Sequence, residues 1–233
     1  KEGTEHFRER RDCPKNYNEI IKLIKNTSLE LEKKTTQTLQ VGVCHPGVHS
    51  PQSGLVKNAP NCVWIEKKPF QKDLHEALGR EVFCENDGNC FALSEAIDGS
   101  GKNYKIVYGI ILGSGAGGGL VIDKQIVSGP NGIAGEWGHN QLYSRHDIDA
   151  EKFIDQFKIN LAMSLATIVN IIDPDAFVFG GGVSNSIDFF PEVQNLVKKY
   201  VIGREYEGVF LKPKYGDASG VRGAARLSRK SNY

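Results

Sequence analysis

Apolar residues along the chain recur at two different spacings. Side chains three or four positions apart, with charged residues between them, predict helices over 17–31 and 148–172. Short apolar runs that end in glycine or proline predict buried strands over 39–47, 105–112 and 176–180. Because helical and strand-like segments mix throughout the chain, the pattern predicts an α/β protein.

Shorter segments complete this pattern. Asp73 is predicted to cap a helix over 73–78, and Ser219 to cap a final helix over 219–229, since both residue types favour that position. A strand ending in Glu85-Asn86 leads into a helix over 89–97. Residues 120–127 alternate around Asp123-Lys124, which predicts a hairpin.

Length and charge narrow the classes of function. The 233 residues suffice for one large or two modest domains, and 29 basic against 28 acidic residues leave a net charge of +1. Such a balance argues against nucleic acid or a membrane surface held by bulk charge. The apolar runs are shorter than the roughly 18 residues of a spanning helix, so no membrane partner is expected. Five cysteines without a C-x-x-C spacing favour a reduced, cytoplasmic protein.

Glycine is the unusual residue of this composition. The 26 glycines include nine between Gly113 and Gly138. Gly113, Gly115 and Gly118 match G-x-G-x-x-G, but a dinucleotide-binding fingerprint opens a helix, and strand-forming residues follow here. A hairpin is predicted instead, whose tip either contacts phosphate oxygens through backbone amides or needs glycine only for a tight turn. Phosphate contact is the favoured interpretation.

Three further segments carry candidate chemistry. Glu85-Asn86-Asp87-Gly88-Asn89 follows a strand, where ligands of α/β proteins gather, but Asn86 or Asp87 equally suits a helix cap. The run 180–182 permits close approach of a ligand or a strand-to-helix turn, and 135–139 combines a carboxylate, an indole and an imidazole between glycines. The residues alone leave these alternatives open.

Seven segments, in chain order, resemble the sugar kinases of the ROK family, from about residue 5 to about residue 228. They are VGVCHPG, GLVKNAPNCVW, ENDGNCFALSEA, ILGSGAGGGLV, GIAGEWGHN, DPDAFVFGGGVS and GDASGVRGAA. The resemblance implies the actin-like, ribonuclease H-like ATPase fold, with a cleft between two α/β domains. These would span 1–104 and 105–233, with the final helix packing back on the first domain.

The resemblance also implies an activity, the phosphorylation of a hexose by ATP with Mg²⁺ as cofactor. Asp87 matches the base that accepts the proton of the attacking hydroxyl. Asn86, Glu136, Asn61 and the Pro46-Gly47 turn, through Gly47, match the contacts to the sugar. Fructose is the expected substrate, converted to fructose 6-phosphate, with N-acetylglucosamine, N-acetylmannosamine or glucose as alternatives. The family further implies a homodimer.

Glycines match the nucleotide-binding parts of the family. Gly113, Ser114 and Gly115 correspond to the hairpin that contacts phosphate, and Gly181 and Gly182 to the turn beside the nucleoside. An Asp with an ordinary pKa near 3.9 is already ionised at neutral pH and needs no upward shift to act as the base.

Two pieces of the family pattern are missing from the sequence. The family begins with a D-x-G-G-T strand that cradles phosphate, and it carries a loop with three cysteine ligands of a structural zinc. His139 matches the one histidine ligand of that zinc, but none of the five cysteines matches the others. We expect a segment to be missing before Lys1 and another between Tyr143 and Ser144.

Two alternatives belong to other classes of protein. ROK-family transcriptional repressors sense sugars, but they carry an N-terminal helix-turn-helix that has no counterpart here, and Asp87 favours an enzyme. A nicotinamide-dependent dehydrogenase would rest on G-x-G-x-x-G alone, against the predicted hairpin.

Overall fold

The computed structural model describes residues 5–113, 115–139, 150–186 and 190–228. The α-helices are α1 (Tyr17–Thr35), α2 (Phe70–Leu78), α3 (Asp87–Ile97), α4 (Ala150–Ile172), α5 (Gly182–Ser186), α6 (Phe190–Tyr200) and α7 (Ser219–Ala224). The strands are β1 (Val41–His45), β2 (Val48–His49), β3 (Val56–Lys57), β4 (Val82–Asn86), β5 (Ile106–Leu112), β6 (Ala116–Ile122), β7 (Gln125–Ile126), β8 (Ala176–Gly180) and β9 (Val209–Leu211).

The described strands form one larger sheet and two small ones. The larger sheet has the order β7-β6-β5-β8-β9, in which β5, β8 and β9 are parallel and β6 runs antiparallel to β5. β1 and β4 form a parallel pair, and β2 and β3 an antiparallel one. This mixture of parallel strands and helices is the α/β architecture that the apolar pattern predicts.

Strand β6 begins at Ala116, inside the glycine run, and pairs antiparallel with β5, so the two strands form the predicted hairpin. Asp123 and Lys124 join β6 to β7 with φ of 50° and 63°, the left-handed conformation that a two-residue hairpin turn needs. Since β6, and no helix, follows Gly115, the dehydrogenase alternative is wrong.

Helix α3 joins two parts of the fold through its buried faces. Phe91, Ala92 and Ala96 pack with Val107 of β5 and Val178 of β8 in one apolar cluster. On another side α3 lies against α7, which also contacts β1 and β4. The division into domains at residue 104 stays a prediction.

Two predicted helix caps are wrong. Helix α2 begins at Phe70, after Pro69, and Asp73 lies within its first turn, where its carboxylate accepts a hydrogen bond from the Tyr17 hydroxyl at 2.5 Å. Helix α7 follows Ala218 and ends at Ala224, short of the predicted 229. The hydroxyl of Ser219 donates instead to Glu95, at 2.7 Å.

Candidate functional site

Asp87 lies where β4 ends and α3 begins. β4 is short and buried at both ends, and Asn86 stops it by capping the helix: its Oδ1 accepts from the amides of Gly88 at 2.8 Å and Asn89 at 3.2 Å. Asp87 is therefore the first helical residue, and its side chain is open to solvent. The positive end of the helix dipole favours a carboxylate at this position.

The carboxyl of Asp87 is oriented and electrostatically perturbed. Its Oδ1 accepts from the Gly88 amide at 2.9 Å. Surrounding protein atoms displace part of its hydration, which raises the pKa of this carboxyl above its ordinary value of 3.8, while the Gly88 hydrogen bond opposes the rise. A raised pKa makes the ionised carboxylate a stronger proton acceptor.

Asn86 ties this helix start to the Pro46-Gly47 turn. Its Nδ2 donates to the carbonyl of Gly47 at 2.9 Å, while its Oδ1 caps α3. Gly47 has φ of 81°, and a Cβ there would lie 2.7 Å from the carbonyl oxygen of Lys57, so the turn requires glycine. The structure thus joins predicted residues Gly47, Asn86 and Asp87 in one hydrogen-bonded unit.

A row of glycine contacts connects Asp87 to the segment that carries Glu136. A Cβ on Gly119 of β6 would lie 2.6 Å from the Gly88 carbonyl oxygen, so β6 touches the start of α3 backbone to backbone. A Cβ on Gly135, which has φ of 95°, would lie 3.0 Å from the Cα of Gly119. The chain immediately before Glu136 therefore packs on the same strand as the helix turn of Asp87. The Glu136 side chain is half-buried, and its charge contributes, after burial, to a raised pKa of Tyr108.

The glycine run at the β5–β6 turn has two different roles. Gly113, Gly115 and Gly117 have open space where a Cβ would stand, and the Gly113 amide closes the turn on the Gly115 carbonyl at 2.9 Å. Gly118 and Gly119 instead allow close packing, and Trp137 donates from Nε1 to the Gly117 carbonyl at 2.6 Å. Among the described residues of the run, those of its first part leave room for a ligand. Ser114 lies outside the described residues.

The two glycines after β8 also differ. Gly181 has φ of 90°, and a Cβ there would clash with the carbonyl oxygen of Leu112, at the end of the neighbouring strand β5. Gly182, the first residue of α5, has open space at its Cβ position. Because β5 and β8 are adjacent and parallel, the Gly113 turn and Gly182 lie at the same edge of the sheet.

Two predicted site residues are not joined to this unit by described contacts. Asn61 lies in a short 3₁₀ helix (Pro60–Cys62) and is exposed; the preceding segment reaches the turn, since Ala59 Cβ would lie 3.0 Å from a Cβ on Gly47. His139 ends a second 3₁₀ helix (Trp137–His139), and its side chain lies outside the described residues.

The described residues do not fit the structural zinc that the resemblance implies. Among them, no group of three or more His, Cys, Asp or Glu side chains is placed to hold a metal. The five cysteines are free thiols. Cys44 and Cys84 lie in β1 and β4, and Cys90 is buried in α3, so none belongs to the segment that follows His139. The predicted gap between Tyr143 and Ser144 falls outside the described residues.

Two further side chains, Glu85 and His45, lie against the helix start and the turn of this region. Glu85 Oε1 accepts from the Asn86 amide at 2.8 Å and from Asn89 Nδ2 at 3.1 Å, which braces the helix start. His45 ends β1 directly opposite Asn86 in the register of the two strands. A histidine within an otherwise apolar strand was the signal for the second.

Among the described helices, none combines the length and apolar character needed to cross a membrane.

Solved structures show which class of fold this is. The chain superimposes on a ROK hexokinase from Thermus thermophilus with a TM-score of 0.80 and 22% identity, covering 91% of this chain and 87% of the other. A ROK family glucokinase from Streptomyces griseus in complex with glucose and AMPPNP superimposes with a TM-score of 0.73 and 21% identity, covering 94% of this chain and 90% of the other. A ROK family transcriptional regulator, a homologue of the E. coli MLC protein, superimposes with a TM-score of 0.74 and 16% identity, covering 91% of this chain and 68% of the other. The fold is the α/β fold of these proteins, consistent with the predicted two-domain, actin-like ATPase fold.

Sequence comparison shows which family the chain belongs to. The ROK family matches residues 1–146 and 141–231, and the N-acetyl-D-glucosamine kinase of Histophilus somni is 31% identical over 95% of this chain and 90% of its own length. The chain belongs to the ROK family. Several of its curated relatives, those of Histophilus somni, Mannheimia succiniciproducens and Pasteurella multocida, are named N-acetyl-D-glucosamine kinases, after a predicted alternative substrate and not after fructose.

The same alignment shows that the relative contains residues without a counterpart in this chain. It spans 277 positions, whereas 95% of this chain is about 221 residues, so about 56 positions have no counterpart here. The two segments that match the family meet at 141–146, which is the place of the expected gap. That a zinc-binding loop fills this gap in the intact protein stays a prediction.

Proposed function

We propose that this chain is an ATP-dependent kinase of N-acetylglucosamine, with Asp87 as the general base. The observation that carries the proposal is the position of the Asp87 carboxylate: it lies at a strand end, hydrogen-bonded to the Gly88 amide, on a helix start that is pressed against β6 of the glycine hairpin. The family and the names of the curated relatives support a sugar as the acceptor.

Asp87 would act by accepting one proton. As a sugar hydroxyl oxygen bonds to the γ-phosphorus of ATP, the bond from that phosphorus to the β-γ bridging oxygen breaks and ADP leaves. The hydroxyl proton passes to the Asp87 carboxylate. Phosphoryl transfer depends mainly on positioning and charge stabilisation, so a base fixed by the Gly88 amide suits this step.

The open glycines would hold the nucleotide by their backbone. A phosphate can approach the chain closely only where no side chain intervenes, and Gly113, Gly115 and Gly182 meet that condition. Mg²⁺ bound to ATP supplies the charge neutralisation that such transfer needs. Exclusion of water by closure of the cleft would prevent hydrolysis of ATP.

The sugar would lie against the Gly47 turn, Asn86 and Asp87, with Glu136 and Asn61 as further contacts. Fructose, the substrate expected from the sequence, is not confirmed. The names of several curated relatives favour the amino sugar instead, and the hydrogen-bonding residues of the proposed site suit either.

The test is ADP release from Mg-ATP with N-acetylglucosamine, N-acetylmannosamine, glucose, mannose and fructose in parallel. We expect the highest kcat/KM with N-acetylglucosamine. Highest kcat/KM with fructose would overturn the substrate while retaining the kinase. Sugar binding without ADP release from any sugar would favour a sugar sensor and contradict the enzyme.

The matched variants are Asp87→Asn and Asp123→Asn. Both remove one carboxylate charge, but Asp123 is an exposed turn residue between β6 and β7 with φ of 50°, a conformation that asparagine tolerates. We expect turnover to fall by about 100-fold or more in Asp87→Asn, the scale of general-base catalysis, and to stay unchanged in Asp123→Asn.

A further inference from the structure

His45 is a buried, ionisable residue beside the candidate site that the proposed reaction does not use. It is 3% exposed, ends strand β1, and pairs in register with Asn86, the residue before Asp87. Its ring meets the ring of Phe70 edge-on, with 5.7 Å between the centroids, and lies 6.1 Å from the ring of His49.

One hydrogen bond fixes the tautomer of this imidazole. Nδ1 lies 2.9 Å from the carbonyl oxygen of Pro46. A carbonyl oxygen only accepts, so Nδ1 must carry the proton. In the neutral ring Nε2 is then a bare acceptor; it is buried and has no hydrogen-bond partner in the described structure.

This bond begins a chain of contacts that reaches Asp87. Nδ1 of His45 holds the carbonyl of Pro46, and the next carbonyl, of Gly47, accepts from Asn86 Nδ2 at 2.9 Å. Asn86 Oδ1 in turn caps the helix that Asp87 begins. The imidazole therefore fixes the Pro46 end of the turn, and Asn86, the N-cap of α3, holds the Gly47 end.

We propose that His45 is a positioning residue of the sugar site: its neutral imidazole, protonated on Nδ1, fixes the Pro46-Gly47 turn against Asn86 and keeps positive charge away from Asp87. The proposal rests on the proposed function insofar as Asp87 is the base. His45 touches neither substrate nor nucleotide in this role.

The charged surroundings explain why neutrality matters. The groups that face His45 are Glu85 of β4, Asp87 of α3 and His49 of β2, with uncharged Phe70 on α2. Burial lowers the pKa of His45 below 6.5, although the Pro46 carbonyl, Glu85 and Asp87 oppose this. In acid the ring gains a proton on Nε2, and the new charge lowers the pKa of Asp87, which weakens the base. Turnover should therefore fall as the pH drops below 6.5 through the pKa of His45.

Two substitutions separate the two ring nitrogens. In His45→Asn the amide N–H takes the place of Nδ1–H, whereas in His45→Gln it takes the place of Nε2–H, and neither side chain titrates. We expect His45→Asn to keep KM for the sugar and kcat at pH 8, and to lose the part of the acid decline that belongs to His45. We expect His45→Gln, which leaves the Pro46 carbonyl without its donor, to raise KM and lower kcat at pH 8 by about tenfold in kcat/KM, the scale of one lost hydrogen bond.

The control is His75, an exposed histidine on α2, changed to Asn and to Gln; both variants should match the wild type at every pH. Equal behaviour of His45→Asn and His45→Gln, or an unchanged acid decline in His45→Asn, would overturn the proposal.

A second measurement does not depend on turnover. ¹⁵N NMR of the wild-type imidazole reports which nitrogen carries the proton. We expect Nδ1–H at pH 8, and an Nε2–H tautomer would contradict the proposal even if the protein phosphorylates no sugar. An Nδ1–H tautomer with no sugar turnover would leave the turn contact intact and reject the proposed function alone.

Discussion

At the scale of single residues, Asp87 combines a functional position with a cost in stability. Although its side chain is open to solvent, surrounding protein atoms displace part of its hydration and raise the pKa of its carboxyl, so the folded state disfavours the ionised form. A group with a raised pKa contributes stability in acid that is lost as the pH rises through that pKa. At neutral pH the ionised carboxylate therefore lowers the free energy of unfolding, and the proposed chemistry requires this ionised form.

The prediction is that Asp87→Asn loses turnover without losing stability. Because asparagine removes the disfavoured charge, its free energy of unfolding at pH 7 should equal or exceed that of the wild type. Urea unfolding at pH 7 measures this, with Asp123→Asn as the control. A clear loss of stability in Asp87→Asn would show that the carboxylate is mainly a structural helix residue.

Gly119 gives a second prediction at this scale. A Cβ there would meet the Gly88 carbonyl oxygen at 2.6 Å and the Cα of Asn89 at 2.7 Å, both backbone atoms that cannot move aside alone. Gly119→Ala should therefore lower the free energy of unfolding by about 2 kcal/mol or more. Gly117→Ala is the matched control, since no described residue other than its own chain neighbours comes within 4 Å of its Cβ position. Equal stability of the two variants would contradict the close packing of β6 on α3.

The local part of the site could be predicted from the sequence, but its long-range contacts could not. Asp87 and Asn86 were predictable because a polar run directly after an apolar strand is visible within a few residues. Gly118 serves packing because Trp137 lies against it, and Gly119 because the start of α3 does, whereas Gly113 and Gly115 face open space; both partners are distant in the sequence. Spacing alone does not distinguish these glycines.

At the scale of elements, a buried carboxylate joins α3 to the end of the chain. Glu95 is fully buried and accepts from the amides of Ser100 at 2.9 Å and Lys214 at 3.0 Å, and from the Ser219 hydroxyl at 2.7 Å. The Glu95 carboxylate thus links α3 to the segment before α7, alongside the hydrogen bonds that Lys214 Nζ and the Tyr215 hydroxyl donate to the Asp98 carbonyl at 3.1 Å.

We predict that Glu95→Ala destabilises the protein by about 3 kcal/mol or more, since it leaves several donors without an acceptor. Hydrogen exchange should also quicken in α7, which would lose the Ser219–Glu95 hydrogen bond at its first residue. Glu76→Ala on the exposed face of α2 serves as the control, and its unfolding should match the wild type. Unchanged exchange in α7 of Glu95→Ala would reject the anchoring role.

Errors in the predicted elements have two physical origins. Asp73 and Ser219 have side chains that cap helices well, but each is engaged by a distant partner, Tyr17 and Glu95. The pair β2–β3 consists of two-residue strands in a stretch rich in proline, glycine and serine, where periodicity has too few positions to register. Longer elements with a clear period, such as α4 and β5, were predictable.

At the scale of the whole molecule, a ligand that binds only the folded chain must stabilise it. N-acetylglucosamine at 100 times its Kd should add about 2.7 kcal/mol to the free energy of unfolding and raise Tm by several degrees. Thermal unfolding with increasing sugar measures this, with fructose in parallel. A Tm that no sugar shifts would contradict a sugar site in this chain.

The central claim is that Asp87 serves as the base for phosphoryl transfer from ATP to a sugar. The most direct measurement is the rate of sugar phosphate formation from Mg-ATP and N-acetylglucosamine, detected by mass spectrometry, in the wild type and in Asp87→Asn. The account predicts steady product formation by the wild type and a rate lower by about 100-fold or more in the variant. Sugar phosphate formed at similar rates by both proteins would contradict it.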